Sequence, residues 1–311
     1  MRVEEIDALR PGPDDVIVRV HAAGVNPVEA YVRTGTYARK PPLPYVPGGD
    51  GAGAVEAVGA GVTGFTVGDR VYITSDNVSL LGAGTYAEQA RCSPAMLHRL
   101  PARVSFAQGA GVGIPYGTAY RSLVMRAGAR AGDTILVHGA TGGVGIAAVQ
   151  LARALGMRVI GSGGTSEGLA LLGEQGVDLA VNHTEPDYLQ AVMAATGGRG
   201  VDVILEMAAH LNLDKDLGIL APRGRVVIIG SRGRIEIDPR QTMGRDAAVL
   251  GMALFTMTPS ELVAMHMAIG AGLENATLVP IVGREFPLAD APRAHQTILT
   301  SRAKGKIVLV P

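Results

Sequence analysis

One stretch constrains the fold of this chain more than any other, the segment DTILVHGATGGVGIAAVQ from Asp133 to Gln150. An apolar run, Ile135 to Val137, leads into a glycine cluster, and apolar residues then recur with helical spacing at Val144, Ala147, Ala148 and Leu151. This order predicts a strand, a tight turn and a helix, which is the opening unit of a dinucleotide-binding fold. The glycine pattern is A-x-G-x-x-G, because Ala140 stands at its first position.

Two glycines of this loop have expected structural roles. Gly142 would let the backbone approach a pyrophosphate, and Gly145 would let the helix pack close to the strand. The free N–H groups at the start of the helix would face the phosphates. A glycine-rich turn can also join a strand to a helix without binding anything, so the loop alone leaves both interpretations open.

Five further short apolar runs follow the loop and alternate with helical patterns. Strands alternating with helices indicate a parallel sheet that is covered on both faces. The predicted strands are 157–161, 178–181, 201–205, 224–230 and 249–255, and a helix is expected over 259–270.

The segment before the loop has a different pattern, with short strands separated by glycine and proline turns. Strands are predicted at 15–23, 54–58, 70–73 and 85–90, and a short helix at Pro27 with Asn26 as its cap. Residues 1–106 are therefore expected to form a β-rich, partly open barrel. Residues 107–271, beginning with a helical stretch over 107–126, would form the nucleotide-binding domain. Residues 272–311, with a helix opening at 286–292 and a strand at 306–310, would return to the first domain.

Composition excludes several classes of protein. The 311 residues include 28 basic and 28 acidic side chains, so no net positive charge favours nucleic acid as a partner. A single cysteine, Cys92, excludes an internal disulfide and a cysteine-rich metal site. No secretion signal and no apolar run long enough for a bilayer are visible, so a cytoplasmic protein without membrane contact is expected.

Four long segments carry a resemblance that covers nearly the whole chain. They are HAAGVNPVEAYVRTGTYARKPPLPYVPGGDGAG, AGVGIPYGTAYRSL, ILVHGATGGVG and LNLDKDLGILAPRGRVVIIGSRGRIEI. In these segments the chain resembles the zinc-independent, zeta-crystallin-like quinone oxidoreductases of the medium-chain dehydrogenase/reductase superfamily. The resemblance implies an α/β fold, in which a Rossmann doubly wound parallel sheet is joined to a GroES-like, partly open barrel. It also implies an NADPH-dependent enzyme that reduces a quinone or a conjugated carbonyl in a cleft without zinc.

Zinc relatives in the superfamily carry a cysteine where this chain has Asn26, and a His-Glu pair where it has Gly49 and Asp50. A catalytic zinc needs about three protein ligands. One carboxylate does not supply them, so no metal is expected.

The resemblance also assigns site residues. Tyr31 would contact the nicotinamide end of the cofactor, while Tyr37 and Asn26 would offer hydrogen bonds to a substrate carbonyl, although both tyrosines could be packing residues. His183 would lie beside the adenosine 2′-phosphate, or be an ordinary loop residue, and Asn212 would lie near the cofactor or only cap a helix. Met252 and Leu254 could equally be sheet core, and His21 and His138 are expected to be structural. The full set of expected cofactor contacts is Tyr31, Thr141, Gly142, Gly143, Val144, Gly164, His183, Asn212, Ile229, Gly230, Ser231, Arg232, Met252, Ala253 and Leu254.

The end of the second nucleotide-domain strand predicts which cofactor is used. NAD-binding Rossmann domains place an acidic residue there to bind the ribose 2′-hydroxyl. This chain has Gly163 at that point, and no acid follows before Glu167. A 2′-phosphate would therefore meet no repulsion, and Ser162, Thr165 and His183 could donate to it, with a further charge from Arg302. NADPH is the predicted cofactor.

Two other functions remain open at this stage. One is a double-bond reductase that acts on enals, enones or acyl thioesters. The other is a zeta-crystallin-like structural or single-stranded nucleic-acid-binding protein, against which the zero net charge and the 4 % aromatic content argue. In the superfamily the sixth strand pairs across subunits, which implies a homodimer or a homotetramer.

Overall fold

The chain forms two compact units in a computed structural model that describes residues 1–38, 40–74, 84–300 and 304–311. Unit 1 comprises residues 1–114 and 259–311, and unit 2 comprises residues 115–258. Each unit is built around its own β-sheet. Arg302, to which the sequence analysis gave a role, lies outside the described residues.

The chain begins in unit 1, passes through unit 2 and ends in unit 1. The helices and strands of the described residues are β1 (Val16–Val25), α1 (Pro27–Arg33), β2 (Asp50–Val58), β3 (Arg70–Thr74), β4 (Gln89–Cys92), β5 (Leu97–Arg99), α2 (Phe106–Gly109), α3 (Gly113–Tyr120), β6 (Thr134–Val137), α4 (Gly143–Ala154), β7 (Arg158–Gly163), α5 (Ser166–Glu174), β8 (Leu179–Asn182), α6 (Tyr188–Ala195), β9 (Val201–Glu206), α7 (Ala209–Gly218), β10 (Leu220–Ile228), α8 (Arg240–Met243), β11 (Ala248–Gly251), α9 (Pro259–Glu274), β12 (Val282–Pro287), α10 (Ala291–Thr300) and β13 (Lys306–Val310).

The sheet of unit 2 has six strands in the order β11-β10-β9-β6-β7-β8. Every neighbouring pair is parallel. All residues of β6 and β9 are buried. Since successive side chains of a strand point to opposite faces, both faces of the sheet centre are covered. The predicted parallel, Rossmann-type sheet is confirmed.

The described sheet of unit 1 has the order β12-β13-β1-β2-β3-β5, and β4 also pairs with β1. Its pairs are antiparallel except for β12 with β13. Its core contains Val18, Val55, Ile73, Leu97 and Leu309. The last strand, β13, therefore belongs to the sheet of unit 1, where it pairs with β1.

Several predicted boundaries were wrong. Residues 107–126 are not one helix but α2, α3 and a short π-helix over Arg121–Arg126. The sixth strand of unit 2 stops at Gly251, so Met252–Leu254 are not part of the sheet. Phe286, the predicted start of a helix, belongs to β12, and the helix begins at Ala291. This prediction failed because a short apolar run does not by itself distinguish a strand from a helix.

Helix α9 belongs to unit 1, whereas the sequence-based boundary at residue 271 placed most of it with the nucleotide-binding part. The physical reason is a contact with β3, in which the Tyr72 hydroxyl and His266 Nδ1 lie 3.2 Å apart and are buried. Among the described residues, no helix has both the length and the apolar character that a membrane crossing requires.

Candidate functional site

The glycine loop of unit 2 has the predicted strand–turn–helix form. Strand β6 ends at Val137, Gly142 is the N-cap of α4, and the loop is fixed to the next strand by a 2.9 Å bond from the Ala140 N–H to the Ser162 carbonyl. A methyl group built at Gly145 would lie 2.5 Å from Ala140 Cα, so only glycine allows this close packing. The first N–H groups of α4 have no partner within the helix, and they suit an anion such as a phosphate.

The expected cofactor residues of unit 2 all lie in the loops or first helical turns that follow strands of one parallel sheet, so they lie at its carboxyl edge. Ligands of open α/β sheets bind at this edge. In strand order they are Thr141, Gly142, Gly143 and Val144 after β6, Gly164 after β7, His183 after β8, Asn212 on α7 after β9, Ile229, Gly230, Ser231 and Arg232 after β10, and Met252, Ala253 and Leu254 after β11.

The end of β7 has the predicted lack of an acidic side chain. Gly163 is its last residue, and the His183 side chain is exposed beside it, with the His183 N–H bonded to the Gly163 carbonyl at 3.0 Å. Thr165 Oγ1 caps α5 by accepting from the Gly168 N–H. Ser162 is fully buried, and its Oγ accepts from the Gly139 N–H. Of the three expected donors, Ser162 is thus the least accessible to a phosphate.

A buried cluster at the same edge was missed by the sequence analysis. His138 follows β6, Glu206 ends β9 and Asp216 lies on α7, and ligand atoms of all three lie within 4.8 Å of one another. His138 Nε2 is 2.9 Å from Asp216 Oδ1 and 3.5 Å from Glu206 Oε2. The only signal in the sequence was an ionisable residue directly after a short apolar run, which His138 after 135–137 and Glu206 after 203–205 both show.

Burial dominates the acid–base behaviour of this cluster. It raises the pKa of Glu206 to about 7, against the effect of His138, and raises the pKa of Asp216 to about 7 as well. Burial also lowers the pKa of His138. Carboxyl groups that resist ionisation and an imidazole that resists protonation together keep the cluster close to neutral.

The site residues of unit 1 lie on and beside α1. Asn26 occupies the N-cap position, and its N–H donates to Glu29 Oε2 at 2.7 Å. Tyr31 is half-buried on the helix, and Tyr37 follows it, with the Tyr37 N–H bonded to the Tyr31 carbonyl at 3.3 Å. The main chains of the two expected pocket tyrosines are therefore in direct contact.

Behind these tyrosines, Asn26 is part of a buried polar network. Its Nδ2 donates to Glu29 Oε1 at 3.1 Å and to Asp50 Oδ2 at 3.0 Å. The Lys306 ammonium donates to Asn26 Oδ1 at 2.5 Å and to Asp50 Oδ2 at 3.0 Å. Both amide hydrogens of Asn26 are thus engaged with carboxylates, which leaves no free donor for the substrate carbonyl that the sequence analysis assigned to it.

The network contains one carboxyl group that titrates near neutral pH. Burial raises the pKa of Glu29 to about 7, although the nearby Lys306 ammonium opposes the shift. Asp50 receives a further hydrogen bond from the Ile114 N–H at 2.7 Å. The carboxylate of Asp50 is therefore satisfied by protein donors.

A zinc ion does not fit these residues. Asn26 and Asp50 stand at zinc-ligand positions, but the Lys306 ammonium already bonds to both, and Gly49 offers no side chain. Asp50 is then the one classical zinc ligand at the three positions, whereas a catalytic site requires about three. The ammonium supplies the positive charge at this point of the fold.

Two family models match the chain, one within unit 1 and the other mostly within unit 2. The alcohol dehydrogenase GroES-like domain matches residues 12–102. The zinc-binding dehydrogenase model matches residues 143–268.

Individual relatives match over almost the full length. The human quinone oxidoreductase is 46 % identical over 307 residues, which span 98 % of this chain and 92 % of the relative. The crystal structure of an NAD-dependent alcohol dehydrogenase superposes with a TM-score of 0.90 at 32 % identity, covering 100 % of this chain and 95 % of the other. A mycobacterial protein solved in complex with NADPH gives a TM-score of 0.87 at 31 % identity, with 99 % and 95 % coverage. The chain belongs to the zeta-crystallin-like quinone oxidoreductase family of the medium-chain dehydrogenase/reductase superfamily.

Proposed function

We propose that this protein is an NADPH-dependent quinone reductase that works without a metal ion. The observation that carries the proposal is the Lys306–Asn26–Asp50 contact, which fills the superfamily's metal position with an ammonium group. Without a Lewis acid, the acceptor must already be electron-poor. A quinone meets this requirement, because its ring accepts hydride readily and becomes aromatic.

The choice of NADPH rests on this chain's own residues, since one similar structure is NAD-dependent and another contains NADPH. Gly163 ends β7 where an NAD-binding domain would carry an acid. The exposed side chain of His183 lies beside it, and the Thr165 hydroxyl is two residues further along the chain. These groups favour a 2′-phosphate.

When bound, the cofactor supplies a hydride, and the reaction also consumes one proton to give the hydroquinone. The protein's part is to hold the acceptor and to stabilise the oxygen on which negative charge develops. We assign the contact with the nicotinamide end to Tyr31 and the hydrogen bond to the quinone oxygen to the Tyr37 hydroxyl. Asn26 acts indirectly, because its donors hold Glu29 and Asp50 and thereby fix the start of the helix that carries Tyr31.

Steady-state kinetics with purified protein test the proposal. We expect NADPH-dependent reduction of several quinones, with kcat/KM values above those for a panel of enones and enals, and no loss of activity in a chelator. Higher kcat/KM values for the enones would favour a double-bond reductase. Stoichiometric zinc, with activity lost to the chelator, would contradict metal independence.

We also propose a dimer or a pair of dimers formed through β11. This strand stands at the end of the sheet order of unit 2, and Val249 on it is 38 % exposed. An open strand edge with an exposed apolar side chain favours pairing with a second copy. Light scattering coupled to size exclusion tests this, and a monomer at micromolar concentration would refute it.

A further inference from the structure

Glu206 accepts hydrogen bonds from three residues that are expected to contact the cofactor. Its main-chain carbonyl accepts from the N–H groups of Ile229 at 2.9 Å and Gly230 at 3.2 Å. Its side chain accepts from Asn212 Nδ2, which lies 3.3 Å from both carboxyl oxygens, and from the Ala208 N–H. One residue thus connects the ends of β9 and β10 to the beginning of α7.

The other side of the Glu206 carboxyl group faces the buried part of the cluster. The Glu206 and Asp216 carboxyl groups lie side by side, with ligand atoms of the two residues within 4.8 Å of each other. Asp216 Oδ2 is buried and has no hydrogen-bond partner among the described residues. His138 Nε2 bonds to the other oxygen, Asp216 Oδ1. Glu206 therefore lies against His138 and Asp216 on one side and accepts from Asn212 on the other.

We infer that Glu206 is a positioning residue for the cofactor, acting through Asn212. Its carboxyl group accepts from Asn212 and from the Ala208 N–H, and this fixes the amide of Asn212 at the carboxyl edge of the sheet. The inference rests on the proposed function, because it assumes that a nicotinamide cofactor binds at this edge.

Three charged or ionisable groups at this spacing also resemble a metal site. The geometry favours positioning, since Glu206 already accepts from Asn212 and Ala208, and Asp216 is bonded to His138. His138 and Asp216 are 2.9 Å apart, which is a direct hydrogen bond rather than the separation of two ligands around an ion.

Two variants at the same position separate positioning from general stability. Glu206→Leu has a similar size but offers no acceptor to Asn212 or Ala208. Glu206→Gln retains an acceptor for both groups and an amide donor for Asp216. A matched control is Asp202→Asn, because Asp202 lies on the same strand at its opposite end, where it accepts from the Thr134 N–H and pairs with Arg199.

The measurements are the Kd of NADPH by fluorescence titration, kcat at saturating NADPH, the KM for the quinone, and Tm. We expect Glu206→Leu to raise the Kd of NADPH at least about tenfold, with kcat and quinone KM within about threefold of wild type, since a buried donor left without its acceptor has an effect of this size. Glu206→Gln should bind NADPH within about threefold of wild type. Asp202→Asn should lower Tm but leave the Kd unchanged.

A double-mutant cycle with Asn212→Ala tests the route. If Glu206 acts through Asn212, the Leu substitution should have little further effect on the Kd in the Asn212→Ala background. Fully additive effects, a folded Glu206→Leu variant with wild-type Kd, or an equal rise of the Kd in Asp202→Asn would overturn the inference. So would stoichiometric metal in the wild type that Glu206→Leu loses. Wild-type protein that binds neither NADPH nor NADH would refute the proposed function itself.

Discussion

The Lys306 ammonium lies 2.5 Å from the amide oxygen of Asn26, and both residues are 4 % exposed. This contact joins the last strand of the chain to the start of its first helix. Glycines make room for it, because a methyl group built at Gly24 would lie 2.8 Å from Lys306 Cε, and one at Gly113 would lie 2.6 Å from Asp50 Oδ1. The polar network is thus built into the packing of unit 1.

The first prediction concerns the removal of this cation. Lys306→Met leaves the Asp50 carboxylate buried without its partner, which costs about 3–5 kcal/mol in free energy of unfolding. Lys304→Met is the matched control, because Lys304 is exposed two residues earlier, and it should change stability by less than about 0.5 kcal/mol. Urea unfolding measures both. Equal effects of the two substitutions would show that the buried pair adds nothing to stability.

The second prediction is a pH dependence that comes from Glu29. Its pKa is raised to about 7 in the folded protein, whereas an unfolded chain has the usual carboxyl value. The folded state therefore binds more protons between the two values, and stability falls as pH rises through this range. Glu29→Gln cannot ionise, so its stability relative to wild type should increase from about pH 5 to pH 7 and then level off. A difference that stays constant with pH would contradict the raised pKa.

The sequence was informative where a local pattern determines the structure. The apolar run at Ile135–Val137 and the close packing at Gly145 follow from residues that are neighbours in the chain, and both were predicted correctly. The Lys306–Asp50 pair joins residues 256 positions apart, and His138 and Asp216 are 78 apart. Periodicity contains no information about such pairs, so neither buried cluster could be predicted. The expected free donor of Asn26 is taken up partly for the same reason, because Asp50, one of its two acceptors, lies 24 positions away on another strand.

The third prediction separates the ring of Tyr31 from its hydroxyl group. If the ring lies against the nicotinamide, Tyr31→Ala should lower quinone kcat/KM or raise the Kd of NADPH at least about tenfold, in the range expected for a lost aromatic contact. Tyr31→Phe keeps the ring and should remain within about threefold of wild type. Circular dichroism checks that both variants are folded. A folded Ala variant within twofold of wild type in both quantities would make Tyr31 a packing residue only.

The last prediction concerns the discrimination between NADPH and NADH at the end of β7. A phosphate carries nearly two negative charges, and each charged hydrogen bond to it contributes roughly 1.5–3 kcal/mol. Two such bonds would favour NADPH by at least about a hundredfold in kcat/KM, since each 1.4 kcal/mol is a factor of ten. Equal kcat/KM values for the two cofactors in the unmutated protein would refute the prediction that the end of β7 selects NADPH.

Gly163→Asp should reduce this preference by at least about tenfold, because a carboxylate repels the 2′-phosphate and can accept from the 2′-hydroxyl of NADH. A Cβ at Gly163 would lie 3.2 Å from Thr141 Cγ2 and 3.4 Å from Leu169 Cδ2, so the new side chain needs only a small displacement of its neighbours. Gly163→Asn has the same size without the charge, and it separates repulsion from crowding. If the Asn variant loses the NADPH preference as fully as the Asp variant does, crowding of the loop at Thr141 is responsible and the electrostatic explanation is wrong.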